Sequence, residues 1–227
     1  MTDFTIRQVQ GEELLTTSFP LSEYAFQSTP PVQSRLTEWQ ERLPNVESYT
    51  FLVGFEGVNP VASVCSIPMP QAVRGKIYPM IGIAGVCSHP STRRKGYVRL
   101  LLQALLAAGR ADHAPFAGLY PFRESFYERL GFITFPQMKI TRFAAPGLAP
   151  LLKYELPGEV ERLAMIDHLD VYQTFLDEHQ PAVHGLARFP AVPEEARQKR
   201  NPLWLAVARV NDEVVGLMTY KIVQYGG

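Results

Sequence analysis

Three adjacent cations and a glycine, Arg93-Arg94-Lys95-Gly96, are the densest chemical feature of the chain. An anion is the natural ligand of such a run, and the flanking pattern says which kind. Ile81–Val86 ahead of it is a short apolar run with the character of a buried strand. Behind it, Val98, Leu101, Leu102, Leu105 and Leu106 recur at helical spacing. The order is therefore strand, basic turn, helix start. A helix start presents backbone N–H groups without internal partners at the positive end of its dipole, where phosphates bind. Gly96 lets a ligand approach the backbone closely. Two phosphates in a row, a pyrophosphate, suit this turn.

The elements that must position the turn are predicted as follows. Phe4–Val9 is a first strand, Glu12–Thr17 starts a short helix, and Phe19–Phe26 is aromatic and irregular. Pro30 and Pro31 break the chain there, and Arg35–Leu43 is a helix with Leu36, Trp39 and Leu43 on one face, stopped by Pro44. Thr50–Phe55 and Val61–Ile67 are strands joined by a turn-rich Glu-Gly-Val-Asn-Pro connection, with a loop over Pro68–Lys76. A helix over Gly96–Ala108 is capped by Gly109. Phe116–Tyr120 is another short buried strand, Ser125–Leu130 a short helix closed by Gly131, and Phe132–Phe143 a late strand or strand pair. Strand, crossover helix and returning strand make a βαβ unit with a parallel pair, so residues 1–145 form a mixed α/β domain.

The basic turn resembles the acyl-CoA-binding signature of the GCN5-related N-acetyltransferases, Q/R-x-x-G-x-G/A. It is matched by Arg93, Arg94, Lys95, Gly96, Tyr97 and Val98, with Val98 in place of the final small residue. The resemblance implies an α/β (α+β, mixed-sheet) acyltransferase fold with acetyl-CoA as co-substrate. Arg93, Arg94, Lys95 and Gly96 would hold its pyrophosphate, and Val86, Cys87 and Ser88 would pair with pantetheine as a strand does. It also implies that the helical region before the second strand helps build the acceptor pocket, which makes Phe19, Tyr24, Phe26 and Trp39 candidates for lining it. Ordinary core packing is an equally good account of each aromatic alone. Glu12, Glu13, Glu23, Glu38 and Glu41 supply acids near that segment, which would favour polyamine or aminoglycoside acceptors.

The segment Phe126-Tyr127-Glu128-Arg129-Leu130-Gly131-Phe132 matches the place where the family carries a tyrosine that protonates the departing thiolate. Tyr127 is thereby the implied general acid. No base is assigned: His89, His113 and Glu124 are as well explained as surface or helix-terminal groups. The Ser-Thr-Arg-Arg-Lys-Gly turn, the Pro121–Phe132 segment and a tandem arrangement resemble the enhanced-intracellular-survival type, in which two acetyltransferase-like domains precede a sterol-carrier-like domain. That type acetylates amines, aminoglycosides and in some members protein lysines, forms hexamers, and uses its terminal carboxylate as base. This chain is expected to lack that third domain.

The tandem has its own signature. The segment from Phe51 and the segment from Leu205 align without gaps at an offset of 154 (205 − 51), pairing Val53 with Val207, Gly54 with Ala208, Val61 with Val215 and Ala62 with Gly216. A helix over Leu163–His179 precedes the second hairpin, and Pro190 and Pro193 lie in the loop between. Residues 146–227 are thus expected to be a linker and the first part of a second copy. Gly96 would map beyond Gly227, so that copy lacks its own phosphate turn and the chain is expected to be truncated.

Composition narrows the alternatives. Lys+Arg and Asp+Glu are both 22, so a general nucleic-acid role, which needs a basic excess, is not expected. Cys65 and Cys87 lie in strand-like apolar runs and read as core thiols. No 18-residue apolar run or signal-peptide core exists, which predicts no membrane span and a cytoplasmic setting. The expected function is an N-acetyltransferase for a small-molecule or lysine amine, homo-oligomeric at full length and without a metal. The alternative is a non-catalytic acyl-CoA-binding or scaffold module.

Overall fold

The computed structural model describes residues 3–27, 30, 32–134, 140–190, 195, 197–199 and 201–223. The chain divides into two compact units, residues 1–121 with 176–197, and residues 122–175 with 198–227.

In the first unit, strand β1 (Phe4–Val9) is followed by helices α1 (Glu13–Thr16), α2 (Ser18–Phe26) and α3 (Gln33–Arg42), then strands β2 (Thr50–Glu56), β3 (Asn59–Val73) and β4 (Lys76–Ser88). Helix α4 (Tyr97–Ala111) crosses over to β5 (Phe116–Gly118). The sheet order is β1-β2-β3-β4-β5, antiparallel except for the β4–β5 pair. This is the mixed α/β sheet expected, with the βαβ unit at its end. One face of β2 buries Phe51, Val53 and Phe55 in a cluster with Val9, Leu14, Val46 and Cys65. The other face is covered by α4, whose Leu101, Leu102 and Leu105 are fully buried.

Several expectations are corrected. Phe19–Phe26 is not irregular but lies in α2, because Phe19 and Leu21 can be buried against the sheet from a helix. The proline-bearing stretch after Ile67 is not a loop. Pro68 and Pro70 pair with Ile81 and Pro79 in a long hairpin that turns at Arg74 and Gly75, both at positive φ. The prolines are tolerated because β2 stops pairing at Ser66, leaving β3 as an edge there. Residues 185–188 occupy that edge instead, through Ala72 N–H to Leu186 O and Arg188 N–H to Pro70 O. Gly109 does not cap α4, which runs on to Ala111. It is buried inside the helix, where a Cβ would stand 2.8 Å from Ile81 Cδ1, so it is the close-packing position of helix on strand. β5 is shorter than expected, three residues.

The second unit contains α5 (Glu124–Glu128), strand β6 (Glu159–Ala164), helix α6 (Leu169–His179, whose last turn belongs to the first unit), and strands β7 (Trp204–Val210) and β8 (Glu213–Tyr220). The sheet order is β6-β7-β8, all antiparallel. Leu163 was expected to start the helix but lies in β6, paired with Leu205. No strand forms over 132–134 or 140–143; residues 135–139 of that expected strand, like Pro193, lie outside the described residues.

The register of the two sheets agrees residue for residue at the offset of 154. Ile6 pairs with Gly54 and Val160 with Ala208; Gly54 pairs with Ala62 and Ala208 with Gly216. The irregularity after Gly54 in β2 recurs after Ala208 in β7. No helix of the described residues is long and apolar enough to cross a membrane.

Candidate functional site

The turn between β4 and α4 is built from the strand end outward. His89 N–H bonds Val61 O at 2.8 Å, fastening the first residue after β4 to the start of β3. The hydroxyl of Thr92, a buried side chain, donates to Val61 O at 3.3 Å and to His89 O at 3.1 Å. Sequence reading passed over Thr92, since a lone threonine in a polar run carries no signal of burial. It anchors the turn that presents Arg93, Arg94, Lys95 and Gly96 at the surface.

Arg94 and Gly96 both have positive φ, 67° and 84°. Gly96 is the N-cap of α4, and the first helical hydrogen bond runs from Leu100 N–H to Gly96 O. The N–H groups of the first turn therefore point out of the helix without helical acceptors. A side chain at Gly96 would meet nothing within 4 Å, so the space above the cap is open; the left-handed φ explains the glycine. No acidic residue occupies the first turn of α4. Among the described residues neither Arg93 nor Arg94 has an ion-pair partner. Backbone donors, dipole and two exposed cations suit an anion.

Lys95 behaves differently. Its Nζ lies 2.6 Å from Glu56 Oε1, and the Tyr97 hydroxyl donates to the same oxygen. The Lys95 bond, then the Tyr97 bond, holds the Glu56 carboxyl below its ordinary range, and Glu56 in turn raises the Lys95 pKa. The pair is therefore ionised at neutral pH. The Lys95 ammonium, read from the sequence as a phosphate ligand, is directed to the end of β2.

Upstream, β4 outruns its parallel neighbour. β5 pairs only with Met80, Ile81 and Gly82, whereas β4 continues to Ser88 with β3 on its other side. Among the described residues no strand lies beside 83–88 on the β5 side. Between Ala84 and Cys87, β4 advances three residues while β3 advances two, so a bulge sits there, with Gly85 at φ 60°. The bulge and the gap leave the end of β4 open to pairing with an extended ligand. Val86 and Ser88 are half-buried and Cys87 is buried. Burial pushes the Cys87 thiol up to about 12, and likewise Cys65, so neither is a nucleophile at neutral pH.

On the α2 side of Ser88 lies a cavity of about 340 Å³ lined by Thr17, Pro20, Leu21, Tyr24, Pro60, Ser88, His89 and Pro90. Of the four aromatics expected near an acceptor, Tyr24 lines it. Phe19 and Trp39 pack on each other in the core, with centroids 5.4 Å apart, and Phe26 is exposed. Among the described residues no carboxylate lines the cavity. Glu23 is buried in a two-bond ion pair with Arg35, which also holds Glu38; Glu12, Glu13 and Glu41 are exposed. His89 Nδ1 accepts from Ser91 N–H at 3.3 Å. His113 lies just past α4 at positive φ.

Tyr127 belongs to the second unit, in α5. It is buried among Phe122, Phe126 and Phe132, with ring centroids 5.0 to 6.0 Å away. Burial raises its pKa, so the phenol keeps its proton at neutral pH. Glu124 starts the same helix. No metal-binding cluster of His, Cys, Asp or Glu occurs among the described residues.

The fold has many solved relatives. A conserved protein of unknown function from Enterococcus faecalis V583, described as a probable N-acyltransferase, superimposes with a TM-score of 0.77 at 20% identity. The alignment covers 98% of this chain and 56% of that one. A GCN5-related N-acetyltransferase from Kribbella flavida gives 0.64 at 20% identity, over 96% of this chain and 58% of that one. A predicted acetyltransferase from Clostridium acetobutylicum with acetyl-CoA gives 0.51 at 12% identity, over 62% and 96%. The chain thus spans little more than half the length of the first two. Among curated proteins no sequence matches. The family model described as acetyltransferase (GNAT) domain matches residues 5–135, more than half of the chain, and the chain belongs to that family.

Proposed function

We propose that the chain is the acetyl-CoA-dependent part of an N-acetyltransferase acting on a primary amine. The observation that carries this reading is the continuity of β4 from its open, bulged end to the αL glycine at the start of α4. Pantetheine would pair along Val86, Cys87 and Ser88, and its pyrophosphate would rest on the N–H groups after Gly96 with Arg93 and Arg94. In the reaction the amine nitrogen attacks the thioester carbon, the carbonyl oxygen gains charge, and the C–S bond breaks as the amine gives up a proton. Backbone N–H groups freed by the bulge would stabilise the oxyanion. Tyr127 would protonate the thiolate, a role supported by its place after β5 and by the burial that keeps it protonated.

The acceptor would enter the cavity beside Ser88. With Tyr24, Leu21 and three prolines but no carboxylate in its lining, it suits an amine on an apolar stem better than a polycation such as an aminoglycoside or polyamine. The shared register of β1-β2-β3 and β6-β7-β8 supports reading residues 146–227 as a partial second copy of the domain at 1–145.

Calorimetry with acetyl-CoA, alongside Gly96→Glu, tests the reading. Binding by the wild-type chain and its loss in the variant is the expected result; equal binding by both removes the site. Binding without turnover on any amine of a broad panel, by a chain carrying both units, would favour the non-catalytic acyl-CoA-binding module instead.

A further inference from the structure

The Glu56–Lys95 contact joins four side chains from four places. Glu56 ends β2, Lys95 lies in the phosphate turn, Tyr97 opens α4, and Phe4 opens β1. The Tyr97 ring stacks on Phe4 with centroids 4.0 Å apart and planes 5° apart. Lys95 Nζ lies 5.7 Å over the Tyr97 ring. The Glu56 side chain is 15% exposed, against 43% for Lys95. The cation is thus drawn back from the turn onto a partly shielded carboxylate, whereas Arg93 and Arg94 remain exposed and unpaired among the described residues.

We propose that Glu56 governs the charge of the phosphate turn: it holds Lys95 on the end of β2, so that Lys95 positions the turn while Arg93, Arg94 and the α4 N–H groups meet the pyrophosphate. The proposal rests on the reading of the turn as the acetyl-CoA site. Its physical content is a balance of charges. A bound ion pair presents almost no net charge to a ligand, and a pyrophosphate that sought Lys95 would have to draw it away from a carboxylate 2.6 Å distant. Removing the carboxylate alone frees a cation beside the anion site. Removing the lysine alone leaves an unneutralised carboxylate there, which repels the anion although Lys95 never touched it. Removing both charges restores the balance.

The test is acetyl-CoA binding by calorimetry, at low and high salt, for Glu56→Gln, Lys95→Met and the double variant. The amide introduced by Glu56→Gln has the shape of the native carboxylate and can still accept from Tyr97, so fold loss is not expected; thermal melting of each variant checks this. Glu56→Gln should tighten binding about fivefold at low salt, with the gain vanishing at high salt as screening removes the freed charge. Lys95→Met should weaken binding about tenfold, and the double variant should return to within about twofold of wild type. A double variant as weak as Lys95→Met would make Lys95 a direct ligand and overturn the proposal, as would an unchanged affinity in Glu56→Gln. Both outcomes leave the acetyl-CoA site standing. Failure of the wild-type chain to bind overturns the site and this inference together.

Discussion

The two antiparallel sheets, β1-β2-β3 and β6-β7-β8, share a register but not a fate. On one face they are alike: Val53 and its counterpart Val207 are fully buried, and Phe51 and its counterpart Leu205 are buried too. On the other face they part. Val64 is 0% exposed and its counterpart Met218 58%. The first unit shows what covers that face. In the first unit β3 leads into β4 and the crossover helix α4, whose Leu101 lies 3.6 Å from where a Cβ on Gly54 would be. In the second unit no such helix follows among the described residues. A strand–helix–hairpin register therefore builds half a core. The crossover helix that completes the core also brings the basic turn at its start, so burial of the second face and that turn come from one element.

The largest effect expected from this contrast is at Gly96. Gly96→Glu should abolish acetyl-CoA binding with only a small loss of stability, about 1 kcal/mol for a non-glycine residue at positive φ; a melt beside the titration separates the two. Tyr127 offers the next effect and sets the first unit against the second. Tyr127→Phe should lower kcat by about a hundredfold or more at unchanged acetyl-CoA affinity if the second unit supplies the acid; an unchanged kcat would confine the chemistry to the first unit. The sheets themselves are compared by urea unfolding. Val64→Ala should cost roughly 2 kcal/mol, whereas Met218→Ala at the matched position should change stability by less than about 0.5 kcal/mol. Equal costs would mean that the second face is covered in solution.

The smallest effect concerns the two cysteines, both in the first unit. Each thiol is raised from 9.0 to about 12 by burial. Below pH 9 folded and unfolded forms both keep the proton and stability is unaffected. Above it only the unfolded form loses the proton, so stability falls as pH rises from 9 towards 12. At pH 10 each thiol should cost about 1 kcal/mol, seen as an alkaline drop in the urea midpoint that is reduced in Cys87→Ala.

The turn was legible because its signal is local. Arg93 to Gly96, the apolar run before it and the leucine spacing after it are all read within 30 residues, and β4 and α4 form where that spacing puts them. The βαβ unit was equally plain, since it rests on periodicity. Less legible was whatever depends on a distant partner. Pro68 and Pro70 look like a loop until Ser66 is seen to end the pairing with β2. Gly109 looks like a cap until Ile81 is seen against it.

The sequence by itself determined the family, the mixed α/β order and the place of the basic strand-to-helix turn, because helix starts, strands and cationic runs are written in neighbouring residues. Only the tertiary structure decided that Lys95 answers to Glu56, that Thr92 anchors the turn, that Tyr24 lines the cavity and that Tyr127 belongs to the second unit. Each of these depends on side chains far apart in the chain, whose meeting is fixed by packing and by the need to satisfy buried polar groups, and no local pattern encodes it.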